Sequence, residues 1–299
     1  MSQQIPTAFV KQFSSAVQHL VQQKGSKLRN SVDVRSGLIG ESAFVDQIGS
    51  VKAGKKTSRH TPIVFTDTPH ARRRITSNFF FVADALDTDD ALKIIIANPT
   101  GQIAQAHGFS LGRQIDDVII PAFNGISFTG VDGATQVTFP ASQQVAANFV
   151  ETGAPAASDL TVGKIRRASE ILNANEVDPD NRMIVIGSAQ LNELLQDPEV
   201  TDADFSTLQA LMSGTLMDRT YLGFRFILSE RLPKAGDIRS VFAYHRSGMI
   251  LGIWQDVITR VDERTDLASI PKQVHSSIQI GSTRLEEEKV VEILCDEAA

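Results

Sequence analysis

The segment that most restricts the fold opens at Asn98-Pro99-Thr100 and runs to about Phe123. Ile103, Ala104, His107, Leu111, Ile115, Val118 and Ile119 recur there at intervals of three and four, which places them on one face of an α-helix. Gly101, Gly108 and Gly112 interrupt it, and each weakens a helix by up to about 1 kcal/mol relative to alanine. Packing must therefore hold this helix, with another backbone pressed close to the glycines. Pro121 and then Asn124-Gly125 predict its end.

The segments before it differ in character. Phe9, Val10, Phe13, Val17, Leu20 and Val21 stand at helical spacing among Lys11, Gln12, Gln18 and Gln22, which predicts an amphipathic helix over residues 8–23 with Gly25 as its stop. From about residue 46 to 75 the chain turns polar and basic, with Lys52, Lys55, Lys56, Arg59, Arg72, Arg73 and Arg74. Asp67 is the one acid between Gly49 and Ile75. A strand-like run at 61–65 lies inside it. Too few apolar residues are present to hold a core, so this segment should project as a hairpin or long loop. Residues 75–85 read as a strand, and the run Phe79-Phe80-Phe81 suggests burial on both faces. The acids Asp84, Asp87, Asp89 and Asp90 follow.

The remainder mixes helix and strand. Residues 126–158 are rich in Gly, Thr and Ala, with a β-like piece at 136–139. A helix is predicted from Asp159, as N-cap, to Asn175. A buried strand at 183–187 leads to a helix at 189–196, a further helix at 206–217 and a strand at 223–229. Strands at 241–245, 250–254, 257–261, 274–280 and 290–294 complete the chain. Helices alternate irregularly with strands expected to be antiparallel, so the class is α+β.

Chemistry is harder to find. The 299 residues suffice for a large core, and 42% apolar with 21% charged residues fits a globular protein. The formal charge of -6 disfavours a chain whose task is wrapping nucleic acid. The single Cys295 excludes an internal disulfide and reads as a small buried hydrophobe, in keeping with a reducing cytoplasm. No apolar run has the length of a membrane span, and Lys11, Gln12, His19 and Gln22 break what a signal peptide would need. The histidines at 19, 60, 70, 107, 245 and 275 never fall four apart, and His107 reads as a hydrogen-bonded core residue. In Gly49-Ser50-Val51-Lys52-Ala53-Gly54-Lys55-Lys56-Thr57 a lysine stands where a phosphate-binding loop needs Ser or Thr; no apolar strand is expected to lead into it. Glu286 to Glu288 read as an exposed turn. No catalytic residue, cofactor or metal ligand is predicted.

The two charge clusters suggest association. If copies pack side by side, arginines of the basic segment can meet a neighbour's aspartates, since Arg suits two-pronged carboxylate contacts. The alternative is that both are solvated faces. A nucleic-acid role is disfavoured because no interleaved aromatic residue is there to stack a base, and the acidic total counts against it.

Four phrases, taken in order, resemble the major capsid proteins of tailed bacteriophages, with the Hong Kong 97-like fold. They are Leu111-Gly112-Arg113-Gln114-Ile115-Asp116-Asp117-Val118-Ile119; Arg182-Met183-Ile184-Val185-Ile186 with Leu191-Asn192-Glu193-Leu194-Leu195-Gln196-Asp197; Gly223-Phe224-Arg225-Phe226-Ile227-Leu228-Ser229-Glu230-Arg231-Leu232-Pro233; and Gly281-Ser282-Thr283-Arg284-Leu285-Glu286 with Val290-Val291-Glu292-Ile293-Leu294-Cys295. With the order of the elements, the resemblance spans residue 8 to the end. It implies an N-terminal arm (1–45), an extended loop (46–75) lying across a neighbour, a peripheral domain with a spine helix (76–125), an axial domain (126–255) and C-terminal strands returning to the peripheral domain (256–299).

The function it implies is a head shell of hexamers and pentamers around double-stranded DNA, without sequence-specific binding. The shell would be assembled in the bacterial cytoplasm with a separate scaffolding protein, a portal and a possible decoration protein. Some relatives crosslink a loop lysine to an asparagine of another subunit; Lys52, Lys55 and Lys56 lie in that region, but no partner asparagine or catalytic carboxylate matches, so a non-covalent shell is expected. The expected contacts between copies are Phe9, Phe13 and Val17 of the arm, Lys52, Lys55, Lys56, Arg59, Arg72, Arg73 and Arg74 of the loop, and Asp84, Asp87, Asp89 and Asp90 opposite them. Another phage structural protein, from tail or decoration, and a cellular encapsulin-type shell protein are the alternatives.

Overall fold

A computed structural model describes residues 22–56, 58, 59, 62, 63, 65–86, 99–196, 220–266 and 270–298. In chain order the elements are β1 (Asp33–Ser36), β2 (Ser42–Ile48), β3 (His70–Thr76), β4 (Asn78–Leu86), α1 (Pro99–Asn124), β5 (Ser127–Thr129), β6 (Thr135–Val137) and β7 (Gln144–Val145). There follow α2 (Val162–Ala174), β8 (Arg182–Ile186), α3 (Ser188–Gln196), β9 (Thr220–Tyr221), β10 (Phe224–Leu228), β11 (Lys234–Ala235) and β12 (Ile238–His245). The chain ends with β13 (Met249–Glu263), β14 (Lys272–Arg284) and β15 (Val290–Asp296). Three sheets result, with strand orders β1-β13-β14-β4, β7-β15-β12-β8-β10-β9 and β2-β3-β5-β6. The class is α+β as expected, but the sheets are mixed: β1 runs parallel to β13, β10 to β8, and β15 to β7. The predicted arm helix falls outside the described residues apart from its last two positions, Gln22 and Gln23, which are not helical; the predicted helix at 206–217 also falls outside them.

The chain divides into two compact units. One comprises Met1–Ser26, Phe79–Gln114 and Gln255–Gln279. Its described core sets α1 on the strands. His107 is 7% exposed and lies 3.4 Å from the Ser276 hydroxyl, which in turn meets Thr259 at 2.8 Å. Burial lowers the His107 pKa, with Asp84 opposing. A backbone does press on one glycine of the helix: a Cβ at Gly112 would lie 2.5 Å from Gly25 Cα. Gly108 faces open space, so its place in the helix has no such reason. Arg113 fixes the incoming chain by donating to Gln22 Oε1 and the Gln23 carbonyl at 2.7 and 3.2 Å.

The other unit comprises Lys27–Asn78, Ile115–Trp254 and Ile280–Ala299. Here α1 buries Ile115, Ile119, Ile120 and Phe123, and Phe123 stacks on Phe242 at 4.8 Å and meets the tilted Tyr244 ring at 4.6 Å between ring centres. That burial explains why the helix runs through Pro121 rather than stopping there, with Gly125 N–H closing the last turn on the Pro121 carbonyl at 3.0 Å. An interior proline costs about 3 kcal/mol, while each large buried side chain returns about 1.5–3 kcal/mol. Asp116, wholly buried, accepts the Lys27 and Leu28 N–H groups, both at 3.1 Å.

Two local expectations need correction. Thr161, not Asp159, caps α2 by accepting from Lys164 N–H, because the Asp159 carboxylate is turned to Leu160 N–H and Gln190. The predicted strands at 250–254 and 257–261 are one continuous strand, β13.

Lys164 is a core charge that no local pattern announces. It is 0% exposed, and its ammonium donates to the carbonyls of Ala147, Ser158 and Leu294 at 2.8, 2.6 and 3.0 Å. These bonds tie the irregular chain after β7 to strand β15. Burial lowers its pKa, opposed by Cys295, Asp159 and Asp296. Cys295 is buried as expected, and burial pushes its thiol up to about 12. Lys164→Met keeps the stem and removes the ammonium, so that the Ala147 and Ser158 carbonyls keep only the N–H groups of Ser158 and Asp296 and the Leu294 carbonyl loses the lysine's bond. We expect a loss of about 1–3 kcal/mol in urea unfolding, the cost of a buried carbonyl losing its charged donor.

Candidate assembly surfaces

The basic segment is organised by a two-strand ladder. Strands β2 and β3 pair antiparallel from Ser42↔Thr76 to Ile48↔His70, and Gly49 N–H to the Pro69 carbonyl (2.8 Å) closes the pairing. Alternation along the strands turns Val45, Arg73 and Ile75 inward and Phe44, Asp46, Ile48, Arg72 and Arg74 outward. The projecting hairpin is as expected, although its inner face does supply a core: Val45, Ile75, Ile250 and Leu285 cluster there, with Trp254 against them.

The three arginines therefore have different fates. Arg73 is buried, donating from Nε to the Leu285 carbonyl at 2.8 Å and pairing with Glu287 at 2.5 Å. Arg284 is wholly buried; it donates to the carbonyls of Phe123 and Gly125 at 2.7 and 3.0 Å, lies over the Phe139 ring and reaches Glu287 at 3.4 Å. Burial lowers the Arg284 pKa, with Glu287 opposing. Glu287 is consequently gripped by two arginines, which corrects the reading of residues 286–288 as a wholly exposed turn. Arg72 pairs with Asp46 at 2.6 Å and sits over Phe44, while Arg74 lies over Phe128. Arginine and aromatic side chains thus do interleave, across strands rather than along the chain.

Beyond the ladder, the described residues of 49–69 carry no regular structure. The expected strand at 61–65 is absent at Pro62, Ile63 and Phe65, which have no partner strand past Gly49 and Pro69. Lys52, Lys55, Lys56 and Arg59 are exposed, and so are Ile63 and Phe65, at 82% and 91%. A second exposed surface lies on β4. Phe79 and Phe81 are 54% and 63% exposed, stacked on each other, with Phe81 also stacked on His275 at 5.9 Å. This corrects the expectation of burial on both faces: β4 ends its sheet, and one face has no covering layer among the described residues. Asp84 is exposed and accepts from Ala85 N–H. Phe9, Phe13, Val17, Asp87, Asp89 and Asp90 lie outside the described residues.

The described chemistry is structural. A strand, β2, does lead into the lysine-rich phrase at Gly49, contrary to expectation, but residues 49–56 carry no helix whose N-terminus could hold a phosphate. His245 Nδ1 lies 2.9 Å from the Ser247 hydroxyl beside a groove of 720 Å³, yet the pair belongs to one turn, where the ring accepts Ser247 N–H as a cap. Among the described residues no cluster of three His, Cys, Asp or Glu side chains could hold a metal, and no helix is long and apolar enough to cross a membrane.

Replacing Glu287 by Gln leaves Arg73 and Arg284 facing each other without their shared carboxylate. The expected result is a subunit destabilised by about 3–5 kcal/mol, the usual cost of removing one partner from a buried ion pair, read from its urea midpoint.

Comparison with known proteins places this geometry. A search of curated sequences gave no match. Among solved structures, the capsid of cyanophage P-SCSP1u is similar over 97% of this chain and 93% of its own, at 16% identity and a TM-score of 0.74. The capsid of Ralstonia phage GP4 matches over 97% and 95%, at 10% identity and a TM-score of 0.71. That of cyanophage Pam1 matches over 98% of both chains, at 13% identity and a TM-score of 0.70. The fold is therefore the Hong Kong 97-like fold that the order of elements implied. Residues 5–297 match the family described as phage capsid protein, and the chain belongs to that family.

Proposed function

We propose that this capsid protein is the major head protein of a tailed phage, self-associating as hexamers and pentamers into an icosahedral shell around double-stranded DNA. The observation that carries the proposal is the hairpin tip: a projecting segment that leaves Ile63, Phe65 and a set of lysines in water. An isolated subunit gains nothing from such a surface, whereas copies that cover it for one another gain at every contact. Head-to-tail contacts of this kind close into rings when the rotation permits.

In this reading, residues 46–75 are the extended loop, and 76–125 with 256–299 supply the peripheral domain. Residues 126–255 form the axial domain around the ring centres, and 1–45 the arm. The loop, with Lys52, Lys55, Lys56 and Arg59 beside its apolar tip, lies against a neighbour's β4, where Phe79, Phe81 and Asp84 face outward and Asp87, Asp89 and Asp90 follow in sequence. Phe9, Phe13 and Val17 of the arm add a second contact. The shell is non-covalent and is assembled in the host cytoplasm with a separate scaffolding protein, a portal and a possible decoration protein, none of which reads the DNA sequence through this chain.

The test is expression of the chain with its scaffolding protein, followed by size-exclusion and electron microscopy. Closed shells are expected, and replacing residues 50–68 by a short Gly-Ser turn should abolish them while leaving subunit melting unchanged. Rings, tubes or a small fixed oligomer from the intact chain would instead mark a tail or decoration component, and shells carrying a cargo enzyme on a bound peptide a cellular compartment.

A further inference from the structure

One arginine on the hairpin sheet is oriented but its guanidinium has no hydrogen-bond or ion-pair partner among the described residues. The register pairs Phe44 with Arg74, Arg74 with Phe128 and Phe128 with Gln136, so these side chains form one row across β2, β3, β5 and β6. The Arg74 guanidinium lies 4.5 Å from the Phe128 ring centre. The turn between β5 and β6 closes over it at Gly133, where φ is 62°; a Cβ there would lie 2.8 Å from Arg74 Cβ and Cδ and 3.0 Å from Phe44. Two rings and a glycine turn therefore hold the stem, and the fork is set before any partner arrives. Its Nε is buried with no hydrogen-bond partner, and no ion pair joins Arg74 among the described residues. Arg72 and Arg73 already hold Asp46 and Glu287.

We propose that Arg74 anchors a contact between copies by receiving a carboxylate of the second copy's acidic segment at residues 84–90. The inference rests on the shell reading and names one of its contacts. A carboxylate fits because it accepts two parallel N–H bonds from one guanidinium. That segment carries four acids, Asp84, Asp87, Asp89 and Asp90, interleaved with Leu86, while exposed Phe44 and Val131 (38% and 82%) give the arginine an apolar rim. A nucleic-acid phosphate run fits less well. It would need several unpaired cations, and the row offers one, bordered by the exposed acids Asp46 and Asp132.

The experiment compares assembly of the full chain with its scaffolding protein by light scattering and electron microscopy, with subunit folding followed by circular dichroism. Arg74→Gln is expected to fold normally but to raise the concentration needed for assembly about tenfold or more, as for loss of one charged hydrogen-bonded contact. Arg74→Lys keeps the stem and the charge without the fork, and should recover part of that loss; it also serves if the Gln variant folds poorly. The triple change Asp87→Asn, Asp89→Asn, Asp90→Asn should match Arg74→Gln, and combining the two should add little. Wild-type assembly by both Arg74 variants, or full additivity with the triple change, overturns the contact. Normal shells with reduced DNA content also overturn it, in favour of a phosphate. Failure of the wild-type chain to form shells would instead remove the shell reading.

Discussion

Apolar surface that one subunit cannot bury governs this molecule. Pairing between β2 and β3 stops at Ile48 and His70, and past that point no strand or helix of the described chain covers Ile63 or Phe65. Burying such a side chain is worth about 1.5–3 kcal/mol, a gain the lone subunit leaves unrealised. The same holds for Phe79 and Phe81 on the open edge of β4. Each contact is modest, but a closed assembly repeats it at every subunit, and the sum becomes large without any single tight interface.

Such a hairpin is useful only if its base is rigid, and the structure spends buried charge to make it so. Arg73 and Arg284 converge on Glu287, and they bond the Leu285 carbonyl and the carbonyls at the end of α1 respectively. Asp116 holds the backbone at Lys27 and Leu28, and Lys164 holds three carbonyls from irregular chain and from β15. In each case a charge adds hydrogen bonds to buried backbone groups, most of them in turns and irregular chain, which is how such stretches stay buried.

Much of the fold was legible in the sequence. Helix α1, the buried strand β8 and the strands β10, β14 and β15 declare themselves by periodicity, and the order of these phrases carried the resemblance that the family match bears out. What was illegible is what depends on distant pairs. Lys164 meets Leu294, Arg284 meets Phe123, and Phe44, Arg74 and Phe128 share a row, yet no local pattern announces any of these. The Phe79-Phe80-Phe81 run is ambiguous for a related reason. A strand buried on two faces and a strand exposed on one for a partner to cover share the same composition, and only topology separates them.

The most direct measurement is hydroxyl-radical footprinting of the free subunit against the assembled shell, with labelling at Ile63, Phe65, Phe79 and Phe81 read by mass spectrometry. The account predicts strong labelling of all four in the subunit and protection of all four in the shell. Equal labelling in both states would show that these surfaces stay in water, and would contradict burial on neighbouring copies as the force that builds the shell.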